Sequence, residues 1–512
     1  MNASSFSAAL TKMDTLVDRL FERQDGAALA LFRILVGILL MKDIIKGFLN
    51  IQYHLNSIPS NFREHYYGFE WVRPIPELVT LSGILLPIAV TCVILGLFYR
   101  LAMPVTTLIV IYFFLLFPEH YLNHYYMLLL FCVLLSTMPA NESWSLDALI
   151  KRKEKKEGVP AWCYWVLRLQ TEIILVYAGL VKINPDWLRL QPLSTWLRSD
   201  LHSIPVIGGF FYYDLVIAVG AYGIILLHTF GAPLLMWRKT RPWIFALYAC
   251  FHLTNSALFE IGMFPFLTLG ATMLFFDPGW PRKLLKTAET RFSSDPPSSA
   301  HRNAVTFLLT FWLGLQLLIP LPALLSPNLQ TAWTGYRDLF SWRMMLNQRS
   351  IPVALFAVDL PGQNHVEFVP LRKYLSERQC TRSLWKPNLT VQVADYLAKT
   401  YAEKFHAPNV EVHAYILNGV NYREPELWAD PAKNLAAYRP VYGVPEWLEP
   451  QAKTFRSWME LIYAPKMQRP TYREVLQAMN LPEDAEIIFD KNDVSLDSTV
   501  SKPECEQTFH TE

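Results

Sequence analysis

Polar side chains interrupt several long apolar segments of this 512-residue chain. A charged group costs about 2.5 to 3.5 kcal/mol at the centre of a membrane-spanning helix, so polar groups kept there usually face a cavity or a partner. Lys182 ends an apolar run at 160–181, and four more polar residues lie in the runs at 122–139 and 242–259. These are Asn123, His124, His252 and Asn255. An amine in an apolar setting favours its neutral form, so this group could take a proton from a weak acid.

Lys182 has two open interpretations. Trp187 follows it closely, and a Lys with a nearby aromatic residue at a helix end is typical of an anchor that extends to the membrane interface. Alternatively the amine is partly buried, its pKa falls, and it acts as a base. Asp186, four residues further on, could instead hold the proton on the amine.

The apolar segments predict the elements that carry these residues. Hydrophobic residues make up 52% of the chain and charged residues 18%, against about 25% charged in an average soluble domain. A membrane-spanning helix needs about 20 predominantly apolar residues. Candidate runs are 27–49, 77–98, 101–117, 122–139, 160–181, 210–236, 242–259, 262–276 and 303–325. The eighth run is short and Gly262 lies at its junction with the seventh, so we expect eight or nine spans.

Lys and Arg in the short loops predict the orientation of the spans. With nine spans and a cytoplasmic segment 1–26, the four basic loops lie inside and the residues beyond 330 lie outside. The five polar residues then share the outer half of the membrane, which is a stronger indication of a site than any one of them. His228 lies toward the inner end of its run and is not expected to join them.

The C-terminal part has the composition of a soluble domain. The predicted fold is therefore an all-α polytopic membrane domain at 27–325, an extracytoplasmic α/β domain at 330–480 and a flexible tail at 481–512. Alternation and turn residues predict strands at 353–360, 365–370 and 410–417, and helical spacing appears at 388–405, 453–464 and 471–480. Asn418-Gly419 is predicted to be a hairpin turn after the third strand.

Several classes of function find no support. A net charge of +2 gives no reason to expect nucleic acid as a partner. The six Cys are scattered without a metal-binding spacing, so no metal is expected. A phosphate-binding glycine loop and the Gly-x-Ser-x-Gly motif of serine hydrolases are also absent from the sequence.

Four strings, in order along the chain, resemble signatures of the vitamin K-dependent γ-carboxylase family. They are Asn123-His124; Tyr177-Ala178-Gly179-Leu180-Val181-Lys182 with Asp186-Trp187; His252-x-x-Asn255 up to Phe264; and Trp333-Thr334 with Ser341-Trp342-Arg343-Met344-Met345. The resemblance covers roughly residues 25 to 435, and it marks the chain as an HTTM-domain membrane protein.

The resemblance implies a chemistry. In that family a Lys takes a proton from vitamin K hydroquinone, the anion reacts with O2 to give a strong base, a glutamyl side chain is deprotonated and captures CO2, and the quinol ends as an epoxide. Lys182 corresponds to this base. The quinol site would comprise Asn123, His124, His252, Asn255, Met344 and Met345. The substrate contacts would be Trp333, Trp342 and Arg343. The implied partners are membrane lipid, a quinol and a glutamate-containing protein or peptide.

The chain also departs from the family. Val181 precedes Lys182 where vertebrate-type members have a Lys–Lys pair, and those longer members carry an additional β-rich C-terminal region. We therefore expect a microbial homologue in the bacterial inner membrane with its site facing the periplasm, or in the ER membrane facing the lumen if the host is eukaryotic. Two alternatives remain: a quinol epoxidase that does not carboxylate, and a non-catalytic carrier or scaffold. A carrier should have polar residues across the full membrane depth.

Overall fold

Apolar runs of the N-terminal part fold into helices in the computed structural model. It describes residues 17–47, 49, 62–151, 158–199, 208–259, 261–287, 298–325, 330–361, 365–440, 443–452, 470–481, 486–488 and 507–510. The main helices before residue 325 are α1 (Ala27–Lys46), α2 (Pro76–Leu95), α3 (Tyr99–Leu116), α4 (Asn123–Thr137), α5 (Ala161–Leu180), α6 (Asp214–Leu226), α7 (Arg241–Leu258), α8 (Phe264–Met273) and α9 (Ser299–Leu318). Each predicted run therefore coincides with a helix.

Among the residues that the structure describes, four helical segments are long and apolar enough to cross a membrane. They are Pro76–Leu95, Tyr99–Leu116, Asp214–Leu235 and Ser299–Leu324. Helices α4 and α8 are apolar but have only 15 and 10 residues. Helix α5 carries Gln170, Thr171 and Glu172, which lie buried against other helices and lower its mean hydropathy. The structure thus supports a membrane protein with four candidate spans, and the predicted count of eight or nine is not confirmed.

The seventh and eighth runs form two separate helices. Helix α7 ends at Leu258 and α8 begins at Phe264. Gly262 between them has a φ of +59°, a left-handed conformation that glycine adopts without steric cost. This break turns the chain beside His124, whose ring atoms would lie 3.6 Å from a Cβ at Gly262.

Short elements connect the long helices. The short α-helices are Leu146–Lys151, Pro185–Leu188, Leu193–Ser199, Ala232–Leu235, Trp280–Leu284, Leu321–Leu324 and Gln330–Thr334. Single turns of 3₁₀ helix lie at Pro118–His120, Gly208–Tyr212, Leu371–Lys373 and Leu435–Ala437. Strands β1 (Arg23–Gln24) and β2 (Val159–Pro160) pair antiparallel at the start of α1 and α5.

A mixed sheet forms the C-terminal domain. Its strands are β3 (Gln348–Leu360), β4 (His365–Phe368), β5 (Glu411–Val420), β6 (Glu426–Leu427), β7 (Glu486–Ile488) and β8 (Gln507–His510), in the order β6-β5-β3-β4-β7 with β8 also on β3. Helices α10 (Glu377–Arg382), α11 (Pro387–Phe405) and α12 (Tyr472–Ala478) accompany it. Apolar residues of α11 and the sheet share one core, so the predicted α/β character of this domain is present.

Three details of this domain differ from the predictions or lie outside the described residues. Asn418 and Gly419 continue β5, and the chain reverses at Asn421 and Tyr422, which both have positive φ. Gly419 serves close packing, because a Cβ there would lie 3.0 Å from the Arg423 carbonyl oxygen. Within the predicted tail, β7 pairs parallel with β4 and β8 pairs antiparallel with β3. The predicted helix at 453–464 lies outside the described residues.

Candidate functional site

A cavity of about 720 Å³, including its mouth, lies where α4, α5, α6, α7 and the loop after residue 340 meet. Six of the predicted site residues line it: Asn123, His124, Lys182, Asn255, Met344 and Met345. The rest of the wall is mainly aromatic and aliphatic, with Ala178, Trp187, Leu193, Trp196, Ile224, His228, Phe251, Phe259, Ile261 and Phe264.

Lys182 is held in the cavity wall by two backbone carbonyls. It follows the end of α5, lies only 5% exposed, and its Nζ donates to the carbonyl oxygens of Ala178 and Met344, each at 3.1 Å. A neutral amine has two N–H donors and one lone pair. Because the two carbonyls occupy two donors, a neutral Lys182 keeps its lone pair free for a molecule in the cavity.

The surroundings of Lys182 favour this neutral form. Burial, and secondarily the charge of Arg343, lower the pKa of Lys182 to about 7. The face of the Trp187 ring, 5.2 Å from Nζ, acts in the opposite direction because it attracts a cation. Burial outweighs this contact, since the described neighbours provide no ion pair to the amine. The anchor interpretation, which requires the amine to reach water, does not describe this side chain.

The carboxylate of Asp186 is engaged elsewhere. Arg423 binds it through two nitrogens at 2.9 and 3.0 Å, and Asn421 donates to it at 2.7 Å. Both residues follow strand β5 and belong to the C-terminal domain. They bind the Asp186 carboxylate, which the sequence analysis considered as the group that could keep Lys182 protonated. Sequence reasoning missed Arg423 and Asn421 because more than 230 residues separate them from Asp186.

The loop that supplies the Met344 carbonyl has unusual backbone geometry. Trp342 and Met345 both have left-handed φ angles, +58° and +53°, which cost energy in residues other than glycine. Stacking of the buried Trp342 ring on Tyr126, with centroids 5.0 Å apart, fixes this conformation. Trp342 thus holds the loop in place and does not itself line the cavity.

Three other predicted residues also lie outside the cavity wall. His252 packs behind it against Tyr248 and Phe264, and both of its ring nitrogens are buried without a hydrogen-bond partner among the described residues. Trp333 belongs to the core of the C-terminal domain, where its Nε1 donates to the Glu449 carbonyl. Arg343 lines two neighbouring clefts. The orientation of helix α7 about its axis directs the Asn255 side chain, and not the His252 side chain, toward the cavity.

His228 was expected outside the site, yet it lines the cavity. The residues after α6 form a π-helical turn, Leu227–Gly231, which breaks the regular helix register. This turn packs closely on α5 at Gly179, where a Cβ would lie 2.8 Å from the Thr229 nitrogen and 3.0 Å from the His228 Cβ. Only a glycine at position 179 of α5 permits this close approach. Gly179 in the Ala178-Gly179 string was therefore a sequence signal that another segment packs closely there.

A cationic cleft adjoins the cavity at Asn123, which lines both. We use "cationic cleft" for the space lined by the basic residues Arg343, Arg349, Arg382 and Lys386 together with Asp338 and Asn347. Burial lowers the pKa of Lys386 to about 8 and that of Arg349 to about 9. Four basic groups around one carboxylate favour an anion, and Arg and Lys are common carboxylate binders in proteins.

The described residues contain no cluster of side chains suited to ligate a metal ion. Over the residues that the structure describes, no three His, Cys, Asp or Glu side chains converge in a way that could hold an ion.

Comparison with known families agrees with this architecture. The model of the HTTM domain matches residues 21–280, and the model of the vitamin K-dependent gamma-carboxylase lumenal domain matches residues 301–454. No solved structure matches the chain. The two matched regions correspond to the helical part with its candidate spans and to the part containing the sheet. The chain is therefore a membrane protein of the vitamin K-dependent γ-carboxylase family, in which an HTTM domain precedes a lumen-facing domain.

Proposed function

We propose that this protein oxidises vitamin K hydroquinone, or a related quinol, with O2 to the epoxide and carboxylates glutamyl side chains with CO2. The observation that carries the proposal is Lys182, a buried amine with both N–H donors committed to carbonyls in the wall of an apolar cavity. We place the site and the C-terminal domain on the periplasmic side of a bacterial inner membrane, or on the lumenal side of the ER in a eukaryote.

The chemistry of the cavity lining suits a quinol. The aromatic and aliphatic wall, including Trp196, Phe251 and Phe259, suits a fused aromatic ring, and a few polar groups suit two ring oxygens. Asn123, His124 and Asn255 are the predicted residues that could hydrogen-bond those oxygens. When bound, the hydroquinone and O2 together supply a base strong enough to deprotonate a glutamyl γ-carbon, which CO2 then carboxylates.

The protein's own residues supply the first proton acceptor. Nζ of Lys182 receives a proton from the quinol hydroxyl, and the ammonium so formed has a third N–H that can stabilise the neighbouring oxyanion. The Trp187 ring and the two carbonyls favour the charged state once it forms. The apolar wall keeps water away from reactive species, as the chemistry requires.

The cationic cleft favours carboxylation over quinol oxidation alone. An oxidase needs only the quinol cavity, whereas a glutamyl carboxylate needs its own cationic site within reach. The cleft provides four basic residues and meets the cavity at Asn123. A carrier or scaffold would require neither a desolvated amine nor a cation-rich cleft beside it.

The decisive experiment measures two products from one sample. Purified protein in phospholipid vesicles receives the hydroquinone, O2, ¹⁴C-bicarbonate and a glutamate-rich peptide. Epoxide together with peptide-bound label would support the proposal. Epoxide without label would leave the epoxidase alternative, and neither product would favour the carrier or scaffold.

A further inference from the structure

His228 is a buried imidazole that the predicted site does not include. It is 4% exposed and lines the same cavity as Lys182. Its ring packs edge-on against Tyr248 and Phe251, with centroid distances of 5.8 and 5.1 Å. These contacts and the π-helical turn fix the ring's position.

One ring nitrogen of His228 has a partner and the other does not. Nδ1 lies 3.0 Å from the carbonyl oxygen of Ile224, one turn earlier. Because a carbonyl only accepts, Nδ1 carries the hydrogen in the neutral ring, and Nε2 carries a lone pair. Within the described part of the chain, no hydrogen bond reaches Nε2. The ring therefore presents an unused acceptor at a cavity wall.

The position of this acceptor is tied to that of the amine. Gly179 lies three residues before Lys182 on α5, and the turn that carries His228 packs directly on it. The imidazole and the amine are thus attached to two backbone segments in close contact, and both line one cavity. Two para hydroxyl groups on a single ring would present a proton donor to each.

We propose that His228 makes the site selective for the reduced form of its ligand, with Nε2 accepting a hydrogen bond from the second hydroxyl of a hydroquinone bound at Lys182. This inference rests on the proposed function. A hydroquinone carries two O–H donors, whereas the quinone and the quinone epoxide carry carbonyl oxygens that only accept. Those oxidised forms set oxygen lone pairs against the Nε2 lone pair, so they bind more weakly and leave more readily.

Ligand binding without turnover tests this contact. Titration of Trp fluorescence, without O2, CO2 or peptide, gives dissociation constants for the soluble probes menadiol (the hydroquinone) and menadione (the quinone). We expect wild-type protein to prefer the hydroquinone by about two- to tenfold, the effect of one neutral hydrogen bond. His228→Asn keeps a donor near Ile224 but removes the acceptor at Nε2. Menadiol should therefore bind about two- to tenfold more weakly, whereas menadione should bind more tightly than to wild-type protein, because its oxygen no longer faces the Nε2 lone pair.

A second variant and a second ligand separate this contact from packing. His228→Gln can place an amide oxygen near the Nε2 position and should recover part of the preference. Wild-type protein should bind the monomethyl ether of menadiol, which has one hydroxyl, about two- to tenfold more weakly than menadiol. That comparison needs no variant and holds even if His228→Asn fails to fold.

The outcomes separate the two hypotheses. Equal binding of menadiol and its monomethyl ether, or an equal loss of both redox forms in His228→Asn, would overturn the role of His228 and leave the proposed function standing. Binding of neither menadiol nor menadione by wild-type protein would overturn the quinol site itself.

Discussion

The cavity beside Lys182 and the cationic cleft share Asn123 but differ in how their linings treat charge. In the cavity, Lys182 has carbonyl acceptors and an apolar wall, and the nearby Asp186 carboxylate is bound to Arg423. The cleft gathers four basic residues around Asp338. An amine without a counter-ion can change its protonation state at modest cost, whereas a cleft lined by four basic residues and one carboxylate favours the binding of an anion. Under the proposed function, these adjacent sites would separate proton transfer from substrate binding.

Lys182 should give the largest effect. Replacing it with Ala removes the proton acceptor, so epoxide formation should fall about 10²- to 10⁴-fold. Lys182→Arg should be nearly as inactive, because a guanidinium stays protonated. The matched control is Lys399→Ala, an exposed lysine paired with Asp395 on α11. Epoxide formation near the wild-type rate in Lys182→Ala would show that another group is the base.

Breaking the Asp186–Arg423 ion pair should give the second-largest effect, because both side chains are buried. Arg423→Gln leaves a buried carboxylate without its charge partner, which should lower the free energy of unfolding by about 3 to 5 kcal/mol. The released carboxylate would also favour the ammonium form of Lys182, so the activity of the folded fraction should require a higher pH.

Thermal unfolding and a pH–rate profile check this second prediction. Arg439→Gln, which breaks an exposed pair with Asp395 at 3.3 Å, is the control and should change stability by less than about 1 kcal/mol. Equal destabilisation by the two substitutions would mean that the buried pair does not join the domains.

Lys386 tests the cleft separately from the cavity. Lys386→Met keeps most of the side-chain volume and removes the charge, so the KM for a glutamyl peptide should rise about tenfold or more, as expected for a hydrogen bond to a charged group. Epoxide formation with saturating peptide should change little. A rise in the KM for the quinol, with no change in the KM for the peptide, would show that Lys386 serves the quinol site and not the peptide site.

The pH dependence tests the assignment of Lys182 without a change at Lys182 itself. Since the pKa of Lys182 is lowered to about 7, the neutral base predominates above that pH. The value of kcat/KM for the quinol should therefore fall about tenfold per pH unit below 7 and level off above it. Arg343→Gln removes the cation that helps to lower this pKa, so the profile should move to higher pH. A profile of wild-type protein that stays flat between pH 5 and 9 would contradict the assignment.

The positions of residues along the apolar runs, and hence their depth in the membrane, were readable from the sequence. Asn123, Lys182 and Asn255 follow from where apolar runs begin and end, and the structure brings them to one cavity. His228 and His252 were assigned the wrong way round relative to the cavity wall. Depth does not determine which face of a helix looks inward, and a π-helical turn changes the register after α6.

Long-range contacts explain the other differences. Neither the pairing of Arg423 with Asp186 nor the gathering of Lys386 and Arg343 in one cleft has a local signature. The Asn418-Gly419 pair shows the reverse case, a strong local turn signal that tertiary packing overrides, because β5 continues through it beside β3. Local sequence patterns predict helices and strands well. Side-chain contacts between residues of different domains can be identified only from the three-dimensional structure.

The segment from Trp342 to Gln348 belongs to both halves of the molecule. Its Met344 carbonyl accepts from Lys182, the Gln348 side chain accepts from Trp196 in the cavity wall, and Gln348 begins the central strand of the sheet. If the N-terminal half were produced alone, Lys182 Nζ would lose the Met344 carbonyl, one of the two backbone oxygens to which it donates. A displacement of the start of strand β3 would therefore also move the carbonyl group that accepts from the Lys182 amine.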